Sequence, residues 1–378
     1  MSRPTLVGSP NRGTGSTAAD ARAANLILVL QTLYRNPGLT RAEVARRTGL
    51  TRVTISELVA LLIDDGLIHE TGIAEQARPG KKAISLEVRD DTTDIIACDL
   101  SGAERLRGGV YTLHGEQRRS ATRPVNGARG EAAIDLVTDL IADLMTNPDK
   151  EERQLLGIGI GVPGTINSDG RVLTAMSLGW SDLDLQGRLH ERFGVPVNVI
   201  NDANAGVLAE QTFSEGHSSL LRIQIARGVG AGLLLDGQMV IGQSSAAGEI
   251  GHVIVQPDGE LCPCGQRGCL ETWASVPALE TRIQREPERR DAILAEGGRY
   301  LGAVLVPILA LLDINDVVLG GESRLLDGPY SEAACQWVDS HLPGEIRRPV
   351  RVRTSSLGDA ATLLGAVAVV LRTSLGLR

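Results

Sequence analysis

His252, Cys262, Cys264 and Cys269 fall within eighteen residues, with glycines and a proline between them to turn the chain. One imidazole and three thiols are the donors that close a tetrahedral Zn²⁺ site, and four protein ligands leave no coordination position open for chemistry. The spacing predicts a structural zinc staple; the bland reading is a reduced, metal-free cysteine loop. Two carboxylates bracket it, Glu249 three residues before the histidine and Glu271 two after the last cysteine. A second polar pair, Asn201-Asp202, follows the apolar run 197–200. Its bland reading is a helix cap, because Ser, Thr, Asp and Asn start helices by accepting free backbone N–H groups.

Such groups act only where secondary structure holds them. Beyond Arg89 the chain reads as α/β. Residues 95–100 form a strand that carries Asp99, and Ser101-Gly102 turns it into a returning strand at 108–113. A helix is expected at about 130–146. Residues 156–161 make a glycine-rich strand with the turn Val162-Pro163-Gly164-Thr165, and 197–200 deliver Asn201-Asp202 to the head of a helix. Strands at 220–225 and 230–235 flank Ala226-Arg227-Gly228, and a strand at 317–319 with its Gly320-Gly321 turn follows a long apolar helix. Strands that end in acids, amides or glycine turns gather functional groups at one edge of a sheet, where open α/β folds bind ligands.

The front of the chain has a different logic. Leu26, Ile27, Leu30, Leu33 and Tyr34 recur at helical spacing until Asn36-Pro37-Gly38. Thr40 with Glu43 is a capping box for a short helix ending at Gly49. Thr51 caps a third helix, Arg52 to about Asp64, whose inner face is Ile55, Leu58, Val59 and Leu62. Two helices around a tight turn form a helix-turn-helix, and the strands at 67–70 and 83–88 add a wing. The start of the third helix enters the major groove in this motif. Arg52 is the base-edge candidate, Thr51 and Thr54 are candidates for phosphate or a thymine methyl, and Arg46 and Arg47 for backbone phosphate. Arg78 and Lys81, in the basic wing tip, could reach a minor groove or phosphate. The competing readings are solvated arginines on a helical domain, or a winged helix used for protein contacts.

Charge supports that division weakly. Residues 1–90 carry 12 Lys/Arg against 9 Asp/Glu, and residues 91–378 carry 26 against 37, so +3 and −11 make the net −8. A mildly basic head on an acidic body fits nucleic-acid contact through the head alone. Five cysteines in 378 residues are too few for a disulfide scaffold, and Cys98 and Cys335 remain as core or inert thiols. That usage fits a reducing cytosol and a cytoplasmic location. No basic-then-apolar leader opens the sequence, and no charge-free run reaches the ~20 residues of a membrane span. The apolar runs near 303–312 and 361–371 read as buried helices.

From about Asn25 onward the chain resembles the ROK family (repressors, open reading frames and sugar kinases), and within it the repressor branch that joins a winged helix-turn-helix to a sugar-kinase-like body. The residues that carry the resemblance are Gly248-Glu249-Ile250-Gly251-His252 running into Cys262-Pro263-Cys264-Gly265-Gln266-Arg267-Gly268-Cys269-Leu270-Glu271. The resemblance implies an α/β body with a two-lobed actin-like (sugar kinase-like, ribonuclease H-like) ATPase fold, a sugar cleft between the lobes, and a homodimer or homotetramer. The expected organisation is a flexible tail over 1–20, a DNA-binding unit over 21–90 and a body over 91–378. Lobe one takes about 91–210 plus the C-terminal helix at 359–373, and lobe two about 211–358.

The resemblance assigns sugar-hydroxyl recognition to Asn201, Asp202, Glu249, His252 and Glu271, with His252 also a metal ligand. It brings the Gly164 backbone near the sugar, although packing explains that glycine almost as well. In the family's kinases the aspartate at Asp202 is the general base, and two turns resembling Asp-x-Gly-Gly-Thr and Gly-Thr-Gly hold phosphates. This chain has Asp99-Leu100-Ser101-Gly102-Ala103 and Ala226-Arg227-Gly228 instead. Glycine turns cradle phosphate because no Cβ blocks the approach, and both turns have lost a glycine and a hydroxyl. The expectation is therefore a transcriptional regulator, a repressor, that binds double-stranded operator DNA and responds to a sugar or sugar derivative, with no enzymatic activity. The alternative is an active ATP-dependent sugar kinase with a DNA-binding head.

Overall fold

The computed structural model describes residues 18–73, 83–102, 104–146, 153–342 and 349–377. Residues 1–17 of the expected tail, the wing tip with Arg78 and Lys81, and Ala103 lie outside the described residues; residues 18–20, expected in the tail, instead open the first helix.

The head is built from α1 (Ala18–Arg35), β1 (Leu39–Thr40), α2 (Arg41–Thr48), α3 (Arg52–Asp64), β2 (Ile68–Ile73) and β3 (Ile84–Val88). Its local logic is the expected one. The Thr40 side chain accepts the Glu43 N–H while the Glu43 carboxylate accepts the Thr40 N–H, and Thr51 Oγ1 accepts the Thr54 N–H. Ile55, Leu58, Val59 and Leu62 are the buried face of α3. The three strands pair in the order β1-β3-β2, so a two-residue strand that the sequence did not signal ties the turn before α2 to the wing.

The body holds two five-stranded sheets. Lobe one contains β4 (Thr93–Asp99), β5 (Arg105–Tyr111), β6 (Gln117–Pro124), α4 (Glu131–Met145) and β7 (Gln154–Val162). A small antiparallel sheet follows, with β8 (Thr165–Ile166), β9 (Val172–Ala175) and β10 (Trp180–Leu183), then α5 (Leu185–Phe193), β11 (Val197–Asn201) and α6 (Asp202–Phe213). Lobe two contains β12 (Leu220–Ile225), β13 (Val229–Leu235), β14 (Gln238–Met239), α7 (Glu271–Ala274), α8 (Val276–Arg285), α9 (Arg290–Leu312), β15 (Asp316–Gly320), α10 (Ser323–Leu326), α11 (Pro329–His341) and β16 (Arg351–Thr354). Helix α12 (Ala361–Leu375) ends the described chain.

The sheet orders are β11-β7-β4-β5-β6 and β14-β13-β12-β15-β16. In each, three parallel strands continue into two antiparallel ones on one side. The same pattern thus occurs twice, and the residues at and just after the ends of β4, β7, β11 and β12 meet at one cleft. The returning strand starts three residues earlier than the sequence suggests, because Arg105–Arg107 already pair with Thr122–Pro124 of β6, and it ends two residues earlier, where Thr112 N–H donates to Glu116 O to close the hairpin.

The stretches Pro287–Leu312 and Gly358–Leu375 are long and apolar enough to cross a bilayer, longer than their apolar runs suggest. Both pack into cores instead. Helix α9 buries Ile293, Leu294, Leu301, Leu305 and Leu309 in lobe two. Helix α12 returns to lobe one and packs between its sheet, α6 and the head. Gly365 makes that possible: a Cβ there would lie 1.9 Å from Ala205 O in α6. Backbone meets backbone at this crossing.

Head and lobe one share one hydrophobic cluster. Val29, Leu30 and Leu33 of α1 join Ile95 of β4 and Leu371 and Leu375 of α12. Polar contacts fix the same joint. Tyr34 Oη donates to Leu113 O at 2.8 Å, its ring stacks on His114 at 4.9 Å, and His114 Nδ1 lies 3.1 Å from Asp90. Gln31 Nε2 donates to Gly376 O.

Candidate functional site

The cleft between the lobes contains a cavity of about 530 Å³ lined by Gly164, Asn201, Asp202, Glu249, His252 and Glu271, together with residues of both glycine-containing turns. Strand ends and helix starts place these side chains. Asn201 ends β11 and caps α6 by accepting the Asn204 N–H at 2.9 Å. Its side-chain amide donates to Gly164 O at 2.9 Å and to Asp202 Oδ1 at 3.1 Å. Gly164 has φ +130°, and a Cβ would lie 2.1 Å from Thr174 O, so the turn requires glycine for packing as well as for its place in the cleft.

Asp202 is the first residue of α6 and accepts the Ala203 N–H at 3.0 Å. Its carboxyl is pushed up to about 7, chiefly by loss of hydration and then by the nearby Asp99 charge. Glu271 opens α7 and accepts the Val229 N–H at 3.1 Å, which ties the end of the cysteine loop to β13.

The four soft donors converge: one donor atom each from His252, Cys262, Cys264 and Cys269 lie within 4.8 Å of one another. Cys264 and Cys269 sulfurs are 3.6 Å apart, and Cys262 Sγ is 3.7 Å from His252 Nδ1. Ligand edges of about 3.6–3.8 Å follow from tetrahedral zinc with its ordinary bond lengths, so the donor types and these two separations fit that ion. The other imidazole nitrogen, Nε2, is 3.9 Å from Glu249 Oε2. One ring thus spans the donor cluster and the cleft. The loop is clipped to its surroundings by bridges pairing Ile254 with Cys269 and Leu261 with Arg267, and Arg282 stacks 4.1 Å over Trp273 beside it.

Beyond the turns, a second chamber of about 480 Å³ shares Ser101, Gly102, Ala226 and Arg227 with the first. Of the charges around it, Asp99 and Arg227 were legible in the sequence, and Arg107 and Arg222 were not. Asp99 is 1% exposed, and both its oxygens are engaged. Oδ1 accepts from Ser101 N at 2.9 Å and Ser101 Oγ at 2.6 Å, and Oδ2 accepts from Arg107 at 2.6 Å. Arg107 also donates to Asp359 O at 2.9 Å, just before α12. Arg222, buried in β12, fills the space left by Gly206 and Gly320 and faces Glu210 at 3.9 Å. Arg227 is exposed at the junction of the two chambers and has no hydrogen-bond or ion-pair partner among the described residues.

The head presents α3 to solvent. Arg52 is exposed at its start, and Thr51 and Thr54 are joined through their hydroxyls at 2.9 Å. Both arginines at the end of α2 are exposed: Arg46 lies 3.8 Å from Glu43, and Arg47 donates to Asn36 Oδ1 at 2.5 Å.

A winged helix-turn-helix fused to a two-lobed, actin-like body of the sugar-kinase type, with a polar cleft between the lobes, defines a class of sugar-kinase-like proteins with a DNA-binding head. The chain belongs to the ROK family, whose model matches residues 96–373; the MarR family model matches residues 27–79. The chain is 28% identical over 373 residues to the xylose repressor of Bacillus subtilis (strain 168), covering 93% of this chain and 95% of that one. It is 35% identical over 300 residues to a glucokinase of Halalkalibacterium halodurans, covering 70% of this chain and 91% of the other. Its fold matches a crystal structure described as a ROK family transcriptional regulator, homolog of E. coli MLC protein. The TM-score is 0.82 at 24% identity, with 94% of this chain and 98% of that chain covered.

Proposed function

We propose that this protein is a sugar-responsive transcriptional repressor that binds operator DNA through its winged head and a carbohydrate effector in its cleft. The similarity to the xylose repressor over nearly the whole of both chains supports the reading. The observation that carries sensing over phosphoryl transfer is the state of Asp99. A carboxylate whose Oδ1 accepts twice from Ser101 and whose Oδ2 is paired with Arg107 is already neutralised and is a weaker ligand for a nucleotide's metal ion. The Ser101-Gly102-Ala103 and Ala226-Arg227-Gly228 turns have each also lost one glycine and the threonine hydroxyl of the phosphate-cradling turns.

Asn201, Asp202, Glu249, His252 and Glu271 hold the hydroxyls, since carboxylates, amides and imidazoles pair with vicinal hydroxyls. The Gly164 backbone lies beside the sugar. Zn²⁺ bound by His252, Cys262, Cys264 and Cys269 is structural and keeps Glu249, His252 and Glu271 in place. Arg52 reads a base edge, while Arg46, Arg47, Arg78 and Lys81 meet phosphate; Thr51 and Thr54 chiefly cap the recognition helix. A homodimer in the cytoplasm presents two heads to two half-sites, and sugar binding changes their spacing because the effector prefers one arrangement.

The test joins three measurements on the full chain. Melting temperatures are recorded across free and 6-phosphorylated hexoses, N-acetylated hexosamines and pentoses, anisotropy is measured on a duplex selected from a random pool, and ADP release is followed with Mg-ATP. One sugar should raise the melting temperature and weaken duplex binding without turnover. Turnover that Asp202→Asn abolishes would establish the kinase instead.

A further inference from the structure

Helix α3 carries an apolar side chain that the fold does not use. Val53, in the first turn, is 69% exposed. The neighbouring hydroxyls are engaged within the helix itself. Thr51 Oγ1 accepts the Thr54 N–H and bonds the Thr54 hydroxyl, and Ser56 Oγ donates to Arg52 O at 2.9 Å. At about 100° per residue, Val53, Ser56 and Ala60 fall in a stripe about 60° wide. That stripe lies at the centre of the solvent face, flanked by exposed Arg52 and Glu57. Small side chains along it let the helix seat deeply. Val53 is its one bulky member, at the end that penetrates furthest into a major groove. A β-branched residue there lowers helix propensity and buries nothing in return.

We infer that Val53 reads a thymine through its C5-methyl group, the one apolar feature a major groove displays. The inference rests on α3 being the DNA-reading helix of the proposed repressor. It makes Val53 a specificity residue beside Arg52, adding a methyl contact to whatever hydrogen bonds Arg52 makes.

Uracil replaces thymine without changing any hydrogen-bonding group, so it isolates the methyl. The full-length protein is used to enrich duplexes from a random library, and each thymine of the enriched half-site is then replaced by uracil. One position should bind about fourfold more weakly, the equivalent of the ~0.8 kcal/mol of one buried methyl group. Val53→Ser, with its melting temperature checked against the parent, should bind the thymine and uracil duplexes equally, and Val53→Ile should keep the discrimination. An enriched half-site indifferent to every uracil, or a methyl effect that survives in Val53→Ser, overturns the inference while leaving DNA binding intact. Failure to enrich any sequence overturns the repressor reading along with it.

Discussion

Asp202 is where the cleft's chemistry leaves a thermodynamic trace. Its folded pKa of about 7 lies above the ordinary 3.8, with lost hydration the larger cause and Asp99 the second. Between those values the folded chain holds a proton that the unfolded chain has released. Its stabilising contribution is therefore complete below pH ~4 and lost as pH rises through ~7. Asp202→Asn removes that penalty and should raise stability at pH 8 by roughly 2 kcal/mol, discounted from the full shift because the side chain faces cleft water. The gain should shrink toward pH 5 in melting curves, and sugar affinity should fall at every pH. Cys264→Ser tests the staple. It should lower the zinc-to-protein ratio, measured by elemental analysis, and lower both the melting temperature and the sugar-induced shift. Complete zinc loss with an unchanged sugar response would sink the proposed coupling between staple and cleft. The four soft donors were legible as a set because they lie close in sequence. Arg107 was not: its partner Asp99 is eight residues away in an adjacent strand, and nothing in the spacing announces that two paired strands bring them together.

Among the elements, α12 carries the strongest constraint. Gly365 allows the backbone of α12 to touch that of α6 at Ala205, one turn from the cleft residues Asn201 and Asp202. Gly365→Ala places a methyl against a carbonyl that cannot step aside, and overpacking of this kind costs about 1–3 kcal/mol. Denaturant unfolding should register that loss. Duplex binding should also become less responsive to sugar, because the contact joining α6 to the helix under the head has been pried open. Elements with local signals were readable in advance. The Thr40–Glu43 box and the Thr51 cap fixed α2 and α3 at their starts. The three short strands between Thr165 and Leu183 were not readable, since two to four residues give too little alternation to recognise. Strand β6 was hidden for another reason: Gln117, Arg118, Arg119 and Arg123 on an edge strand read as loop, although charge there protects an exposed edge from pairing with another chain.

At the scale of the molecule, the head is not a bead on a string. Val29, Leu30 and Leu33 share a core with Leu371 and Leu375. Calorimetry should therefore show head and lobe one melting in one transition, and a separate low-temperature peak from the head would contradict the shared core. Leu371→Ala, at a position with 0% exposure, should cost about 2–5 kcal/mol. It should weaken duplex binding even though it lies far from α3, as anisotropy would show.

That shared core limits how such a protein can be rewired. A designer who grafts a foreign winged helix onto this body, hoping to redirect the sensor to new genes, would cut through the packing of α1 on α12 and expose both faces. A working hybrid would have to exchange the last turns of α12 with the head, or repaint the apolar surface around Leu371, Leu375 and Leu377 to suit its new occupant.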